Sequence, residues 1–242
     1  MIRTVSIAAL LAASTALALP TLMPASSDEP GDWSNLPAFT GIKASRGVDV
    51  EFTTGGPQSV QAEAIRGDLE DLEIYVDDDF LVVRRKDKNG WNWGGNRDKF
   101  LVTVSAPQLS DIIASSGADV DGSGLSGDLV GVDSSSGADI DVTDISAGEV
   151  RAEASSGSGI SISGTCDSLR AESSSGADID AGNLICDDVR ADASSGSDIE
   201  AYATRSLRAD ASSGADIDVG GSPSVVDVDK SSGGDVDYDR AN

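Results

Sequence analysis

From about residue 114 to residue 238 the chain alternates small apolar and polar residues, in runs such as Leu169-Arg170-Ala171-Glu172-Ser173 and Ala177-Asp178-Ile179-Asp180-Ala181. A period of two buries every second side chain, which is the signature of strands with one covered face and excludes helix. The alternation is cut at intervals by Ser-Ser-Gly. The glycines of these triplets are Gly117, Gly137, Gly157, Gly176, Gly196, Gly214 and Gly233, at separations of 20, 20, 19, 20, 18 and 19 residues. Self-similarity at that period predicts a solenoid. Counted from each glycine, the third residue onward is Val120, Ile140, Ile160, Ile179, Ile199, Ile217 or Val236, always β-branched. The seventh residue before it is Val130, Val150, Leu169, Val189, Leu207 or Val226 in the last six copies. These are the expected inward positions. Beside the corners the inward residues are mostly Ala or Ser, so the two sheets lie close together there and the coil is flattened.

The expected fold is therefore all-β: a parallel β-helix, or flattened β-solenoid, of seven coils of about twenty residues, each containing two short strands. Glycine at the corner suits a backbone of positive φ, and the serines can bond the backbone or one another up the stack. Rungs about 4.8 Å apart give a rod of roughly 30 to 35 Å. Parallel crossovers are usually right-handed, and that hand is expected here.

Upstream the alternation is less regular. It predicts strands over 42–52, 60–65, 72–76, Phe80–Arg85 and 100–104, and Gly47-Val48-Asp49-Val50-Glu51 resembles a degenerate corner. Residues 39–113 read as irregular coils capping the rod, with a hairpin-like loop over 86–99. Residues 26–38 read as a loose polar arm, and 39–242 as one domain. At the start, an apolar run from Val5 to Leu19 follows Arg3, with Ala16-Leu17-Ala18 as an A-x-A cleavage site. This predicts a signal peptide over 1–25, cut after Ala18 or Ala25, and an exported protein in the periplasm, at the cell surface or secreted. The run is shorter than the ~20 residues that span a bilayer, and no later segment is apolar enough for a transmembrane span.

The order of elements resembles the GIN-domain family of auto-transporter adhesin heads. The resemblance is carried by Phe39-Thr40-Gly41-Ile42, by the strand Phe80–Arg85 before a Trp-containing loop, by residues 102–107, and by the SSGADV and SSGADID coils. It covers nearly everything after residue 38, and it implies a β-helical fold and an envelope or surface location. It transfers no catalytic residue.

Composition narrows the function. Aromatic residues make up 4% of the chain, which suits a narrow core of Ala, Val and Ile. Forty-two acidic residues against 17 basic give a net charge of −25, which repels nucleic acid and favours cationic partners or divalent ions. Histidine is absent, which removes Ser-His-Asp and Cys-His catalysis and imidazole zinc sites.

Cys166 and Cys186 each stand ten residues before a corner glycine. Stacked on adjacent rungs, in an oxidising compartment, they are candidates for a disulfide, the alternative being two reduced thiols in a turn. On the first strand Arg151, Arg170, Arg190 and Arg208 precede Glu153, Glu172, Asp192 and Asp210 by two residues, and each acid is expected to be balanced by its arginine. The second strand presents Asp119, Asp121, Asp139, Asp141, Asp178, Asp180, Asp198, Glu200, Asp216, Asp218, Asp235 and Asp237 with no base between them. These columns have three readings: specific calcium sites, diffuse cation association, or a solubilising face. The calcium β-roll loop G-G-x-G-x-D is missing. Paired carboxylates also invite a carbohydrate-active enzyme, but a column of like acids gives no reason for one raised and one low pKa. Trp91 and Trp93, with Arg97 among the flanking bases, either grip a glycan or plug the solenoid. The function expected is a non-enzymatic envelope or surface scaffold presenting an acidic face to a surface protein or glycan, with self-association open at the last coil.

Overall fold

The computed structural model describes residues 33, 35–87 and 98–239. The corner is built from two successive residues of positive φ. Ser175 stands at 59° and Gly176 at 68°, and the same pair recurs from Ser116-Gly117 to Ser232-Gly233. The left-handed region costs an L-residue roughly 1–2 kcal/mol, so the exposed serine of each corner is a strained residue held by its surroundings. The turn is closed by bonds such as Ala138 N–H to the Ser135 carbonyl at 3.3 Å. It is tied to the next coil by bonds such as Ser136 N–H to the Ser155 carbonyl, also 3.3 Å. A Cβ on Gly176 would lie 3.9 Å from the Gly196 carbonyl oxygen, an ordinary contact. Glycine is therefore required there by conformation, not by space.

Between corners the middle coils run as single extended segments: β10 (Asp139–Ser155), β11 (Gly159–Ser174), β12 (Asp178–Ser194) and β13 (Asp198–Ser212). The two short strands expected per coil are joined because ladder pairing continues through a bulge at the bend, where the register shifts between Val142 and Ile145. Before them lie β7 (Asp111–Ser115), β8 (Asp119–Ser123) and β9 (Ser126–Ser135); after them β14 (Asp216–Gly220), β15 (Val225–Ser231) and β16 (Asp235–Tyr238). All of these pair in parallel, coil on coil, through about six turns.

The inward positions read from the sequence are the core. Val120, Ile140, Ile160, Ile179, Ile199, Ile217 and Val236 are all buried, and Val130, Val150, Leu169, Val189 and Leu207 face them. At the narrow apex, four buried serines take the place of alanine. Ser158 Oγ donates to the Ser134 carbonyl at 2.8 Å and accepts from Ser155 N–H at 3.1 Å. Ser197 repeats this with Ser173 and Ser194 at 2.9 and 3.1 Å. Such bonds satisfy polar groups that water cannot reach.

The amino-terminal end departs from chain order. β1 (Gly41–Ser45) and β2 (Asp49–Thr54) flank Arg46 and Gly47, at φ 64° and 65°, so the degenerate motif is an eighth corner. β1 stacks on β7 and β2 on β8. The intervening chain forms β3 (Ser59–Arg66), a 3₁₀ turn at Leu69–Asp71, β4 (Leu72–Asp77), β5 (Phe80–Arg85) and β6 (Lys99–Ala106). β5 and β6 stack in parallel on the far sides of β1 and β2, and β4 and β3 close the end as antiparallel partners. The coils thus do not follow one another along the chain. β5 and β6 are not paired with one another: each pairs with one flank of the Arg46-Gly47 corner, and most of the loop expected between them, residues 88–97, lies outside the described residues. Arg85 fastens the corner, donating through Nε to the Arg46 carbonyl and through Nη1 to the Asp98 carbonyl at 3.2 Å. Gly47 has the same positive φ, and a Cβ there would also lie 2.8 Å from Arg85 Nη2, so a side chain would be strained by conformation and would displace the guanidinium.

The arm is fastened along its described part. Trp33 and Leu36 pack against the core, and Gln58 Nε2 donates to the Leu36 and Pro37 carbonyls at 3.1 Å each. The signal segment, and the loop residues Trp91, Trp93 and Arg97, lie outside the described residues.

Candidate functional site

The outward residues two and four places after each corner form two columns in register. One runs Asp49, Asp119, Asp139, Gly159, Asp178, Asp198, Asp216, Asp235. The other runs Glu51, Asp121, Asp141, Ser161, Asp180, Glu200, Asp218, Asp237. Every acid singled out in the sequence is in place. Asp49 and Glu51 extend the columns by a rung that sequence reasoning did not count, although Gly47 was the signal for it. The coil of Gly159 and Ser161 interrupts both columns and leaves a groove of about 480 Å³ among Asp119, Asp121, Asp139, Asp141, Asp178 and Asp180. Asp139 leans into it: a Cβ on Gly159 would lie 2.7 Å from Asp139 Oδ1.

Bases reach the columns at their ends. Lys99 Nζ meets Asp49 Oδ2 at 2.7 Å, and Lys230 Nζ meets Asp235 Oδ1 at 2.5 Å. Between them the charges press on one another. Desolvation, followed by the charges of Asp49 and Asp139, raises the pKa of Asp119. Desolvation, then Asp141 and Glu51, raises that of Asp121; desolvation, then Asp237, raises that of Asp218. Asp235 is lowered instead, because Lys230 bonds to it. The columns are therefore less uniform than their sequence. Among the described residues, no group of three or more His, Cys, Asp or Glu is arranged to hold a metal ion. The acids lie along straight lines and do not converge on a point.

The neighbouring face is charge-balanced, with one exchange of partner. Arg170 Nε bonds Glu172 at 2.6 Å, and Arg190 Nε bonds Asp192 at 2.8 Å. Arg208 lies 3.5 Å from Asp210 and 3.3 Å from Asp227. Arg151 turns to Glu149 at 2.7 Å, and not to the expected Glu153. Both acids stand two residues from it on the same face, and the sequence does not distinguish them. Asp133 has Gly131 where its neighbour coil has Arg151, and desolvation raises its pKa. At the third edge, Arg205 joins Asp187 and Asp188 of the previous coil, with Thr204 and Ser206 donating to them at 2.8 and 2.6 Å. Hydrogen bonds from Arg205 and Ser206 bring Asp188 down to about 2. Between β12 and the coil before it, Cys166 and Cys186 stand opposite one another with Cα atoms 4.6 Å apart and form a disulfide.

The fold and its faces define a class: a parallel β-solenoid that displays repeated side-chain columns. More narrowly, the chain belongs to the family described as "Putative auto-transporter adhesin, head GIN domain", whose model matches residues 38–223. No curated protein matches it by sequence. Among solved structures it is similar to a putative adhesin of Bacteroides fragilis (TM-score 0.75, 21% identity, covering 84% of this chain and 94% of that one). It is also similar to a putative lipid binding protein of Parabacteroides distasonis (0.64, 15%, 85% and 94%). A putative adhesin of that organism gives 0.62, 16%, 84% and 94%. At these identities the likeness establishes the fold alone. Among the described residues, no helix is long and apolar enough to cross a membrane.

Proposed function

We propose that this chain is a non-enzymatic, exported interaction scaffold, an adhesin-like rod that presents an acidic face to cationic groups on an envelope or surface protein or a glycan. The observation that carries this reading is the pair of in-register carboxylate columns whose only bonded bases, among the described residues, sit at the two ends. A continuous ladder at a fixed spacing suits an extended partner, because each rung repeats the same interaction. Family membership supports the setting, and the apolar run after Arg3 supports export. Repetition also supports a non-catalytic role: acid–base catalysis needs unlike neighbours in defined positions, and a ladder makes every rung replaceable.

For the cation reading, diffuse association is favoured over chelated calcium. What supports it is the straight-line arrangement of the acids, since a calcium site needs six to eight oxygens around one point. Calorimetry of the secreted protein should show no saturable calcium heat, and calcium should raise the melting temperature only as far as its ionic strength does.

The main reading is tested by capturing envelope components on the immobilised secreted protein at low and high salt. A variant with Asp178, Asp180, Asp198 and Glu200 changed to amides serves as the comparison. Salt-sensitive capture that is lost in the variant supports the proposal; capture unchanged in the variant sinks it.

A further inference from the structure

At the amino-terminal end, away from the acid columns, lies a cavity of about 600 Å³, a size suited to small ligands. Its apolar wall is Trp33, Leu69, Leu72 and Ile74, and its polar wall is Glu73, Tyr75 and Arg84, with Glu70 and Lys86 at hand. β4 is the outermost strand on this side, so nothing in the sheet covers the wall that Tyr75 stands on. The chain has only three tryptophans and three tyrosines, and one of each meets here.

Three properties set this cavity apart. Tyr75 is 37% exposed, and the Arg84 guanidinium lies over one face of its ring, 5.5 Å from the centroid, so a planar cation backs the aromatic ring and leaves its other face to a ligand. Arg84 Nε bonds Glu73 Oε2 at 2.7 Å with both side chains about one-third exposed. A guanidinium has further N–H donors and a carboxylate a second oxygen, so the pair offers a donor and an acceptor side by side. Finally, the charges lining the cavity balance, Glu70 and Glu73 against Arg84 and Lys86. The two grooves on the acid columns are lined by carboxylates with no base.

From this juxtaposition we infer that the cavity binds an uncharged sugar, as a mono- or disaccharide unit of a glycan. The apolar C–H face of a pyranose stacks on the aromatic ring, and its vicinal hydroxyls, each both donor and acceptor, bridge Arg84 and Glu73. A balanced lining excludes the strong preference for cations that governs the rest of the surface, and it gives no net attraction to an anionic glycan. The inference rests on the interaction-scaffold reading and supplies it with a second, chemically different contact.

The test is a glycan array probed with the secreted protein, followed by calorimetry on the best uncharged glycan. Arg84→Gln and Glu73→Gln keep the shape of the wall and remove its charge fork. Tyr75→Leu keeps an apolar side chain and removes the ring. An uncharged glycan is expected to bind, each substitution is expected to weaken it by about tenfold or more, and the melting temperatures should stay near that of the parent. The amide variant of the acid columns should bind the glycan normally. The inference is overturned if the array shows no uncharged glycan, if only sulfated or sialylated glycans bind, or if Arg84→Gln and Glu73→Gln bind as the parent does. Loss of salt-sensitive envelope capture in the parent would instead strike the scaffold reading, so the two failures are separable.

Discussion

Changing Asp121 to Asn should stabilise the rod at neutral pH. Asp121 lies between Glu51 and Asp141 in its column, on rungs about 4.8 Å apart. Two unit charges at that separation repel by about 0.9 kcal/mol in water. A screening length of about 8 Å at 0.15 M salt leaves roughly 0.5 kcal/mol per contact, or about 1 kcal/mol for both neighbours. Desolvation of the carboxylate acts in the same direction, since it too raises the pKa. A raised native pKa means that the folded chain binds the proton more tightly than the unfolded chain. The penalty is therefore absent below the unfolded value near 3.9 and grows as pH rises through the native one. The substitution should accordingly raise the melting temperature at pH 7 by about 2–4 °C, do nothing at pH 3, and in 1 M NaCl, where screening reaches about 3 Å, lose most of the part that comes from repulsion while keeping the part that comes from desolvation. Asp141→Asn, with Ser161 on one side, should gain about half as much. Asp192→Asn, which breaks a 2.8 Å pair with Arg190, should gain nothing. Thermal unfolding followed by circular dichroism reads all three. A drop in stability for Asp121→Asn at pH 7 and low salt, or a gain undiminished in 1 M NaCl, would refute the repulsion argument.

Other perturbations act on separate features. Reducing the Cys166–Cys186 bond releases a loop of 20 residues, which the chain-entropy model values at about 3 kcal/mol; the melting temperature should fall with reductant, and the native protein should take up no thiol label. Gly176→Ala should cost about 1–2 kcal/mol from backbone conformation alone, because its Cβ meets nothing closer than 3.9 Å; a neutral effect in urea titration would contradict the corner geometry. Ser158→Ala removes both the donor to the Ser134 carbonyl and the acceptor for Ser155 N–H, a loss of about 1–3 kcal/mol that should localise, in hydrogen exchange, to the adjoining corners.

The regular coils were legible because a repeat states the same fact many times. Gly117 to Gly233 gave the corners, the residue three places on gave the core, and the common offset of Cys166 and Cys186 gave the disulfide. What stayed hidden depends on pairing or on dihedral angle. Alternation marks β3 to β6 as strands, but it does not say that β5 and β6 stack outside β1 and β2, since strand partners far apart in sequence leave no local trace. The degenerate corner at Gly47 was legible, but with Arg46 in place of the corner serine it did not carry Asp49 and Glu51 into the acid columns. The left-handed serines look like any turn serine. The Arg205 cluster depends on register shifts where β12 meets β13, between Ala181 and Ile185 and between Cys186 and Asp188, which the spacing of corners records only as a shortened coil. The cavity at Tyr75 needed Trp33, from a segment that composition alone marks as loose.

The out-of-order stacking at the amino-terminal end has a mechanical meaning. β1 and β2 are gripped on both sides, by β5 and β6 and by β7 and β8, whereas β15 and β16 each have a single partner strand. A pull from the carboxyl end can peel one rung at a time, breaking ladder bonds in sequence. A pull from the amino end must shear two ladders at once, so in single-molecule stretching the first rupture force should be higher there. A rod of this kind resists load unequally along its length, and the end nearer the start of the chain is the stronger anchor.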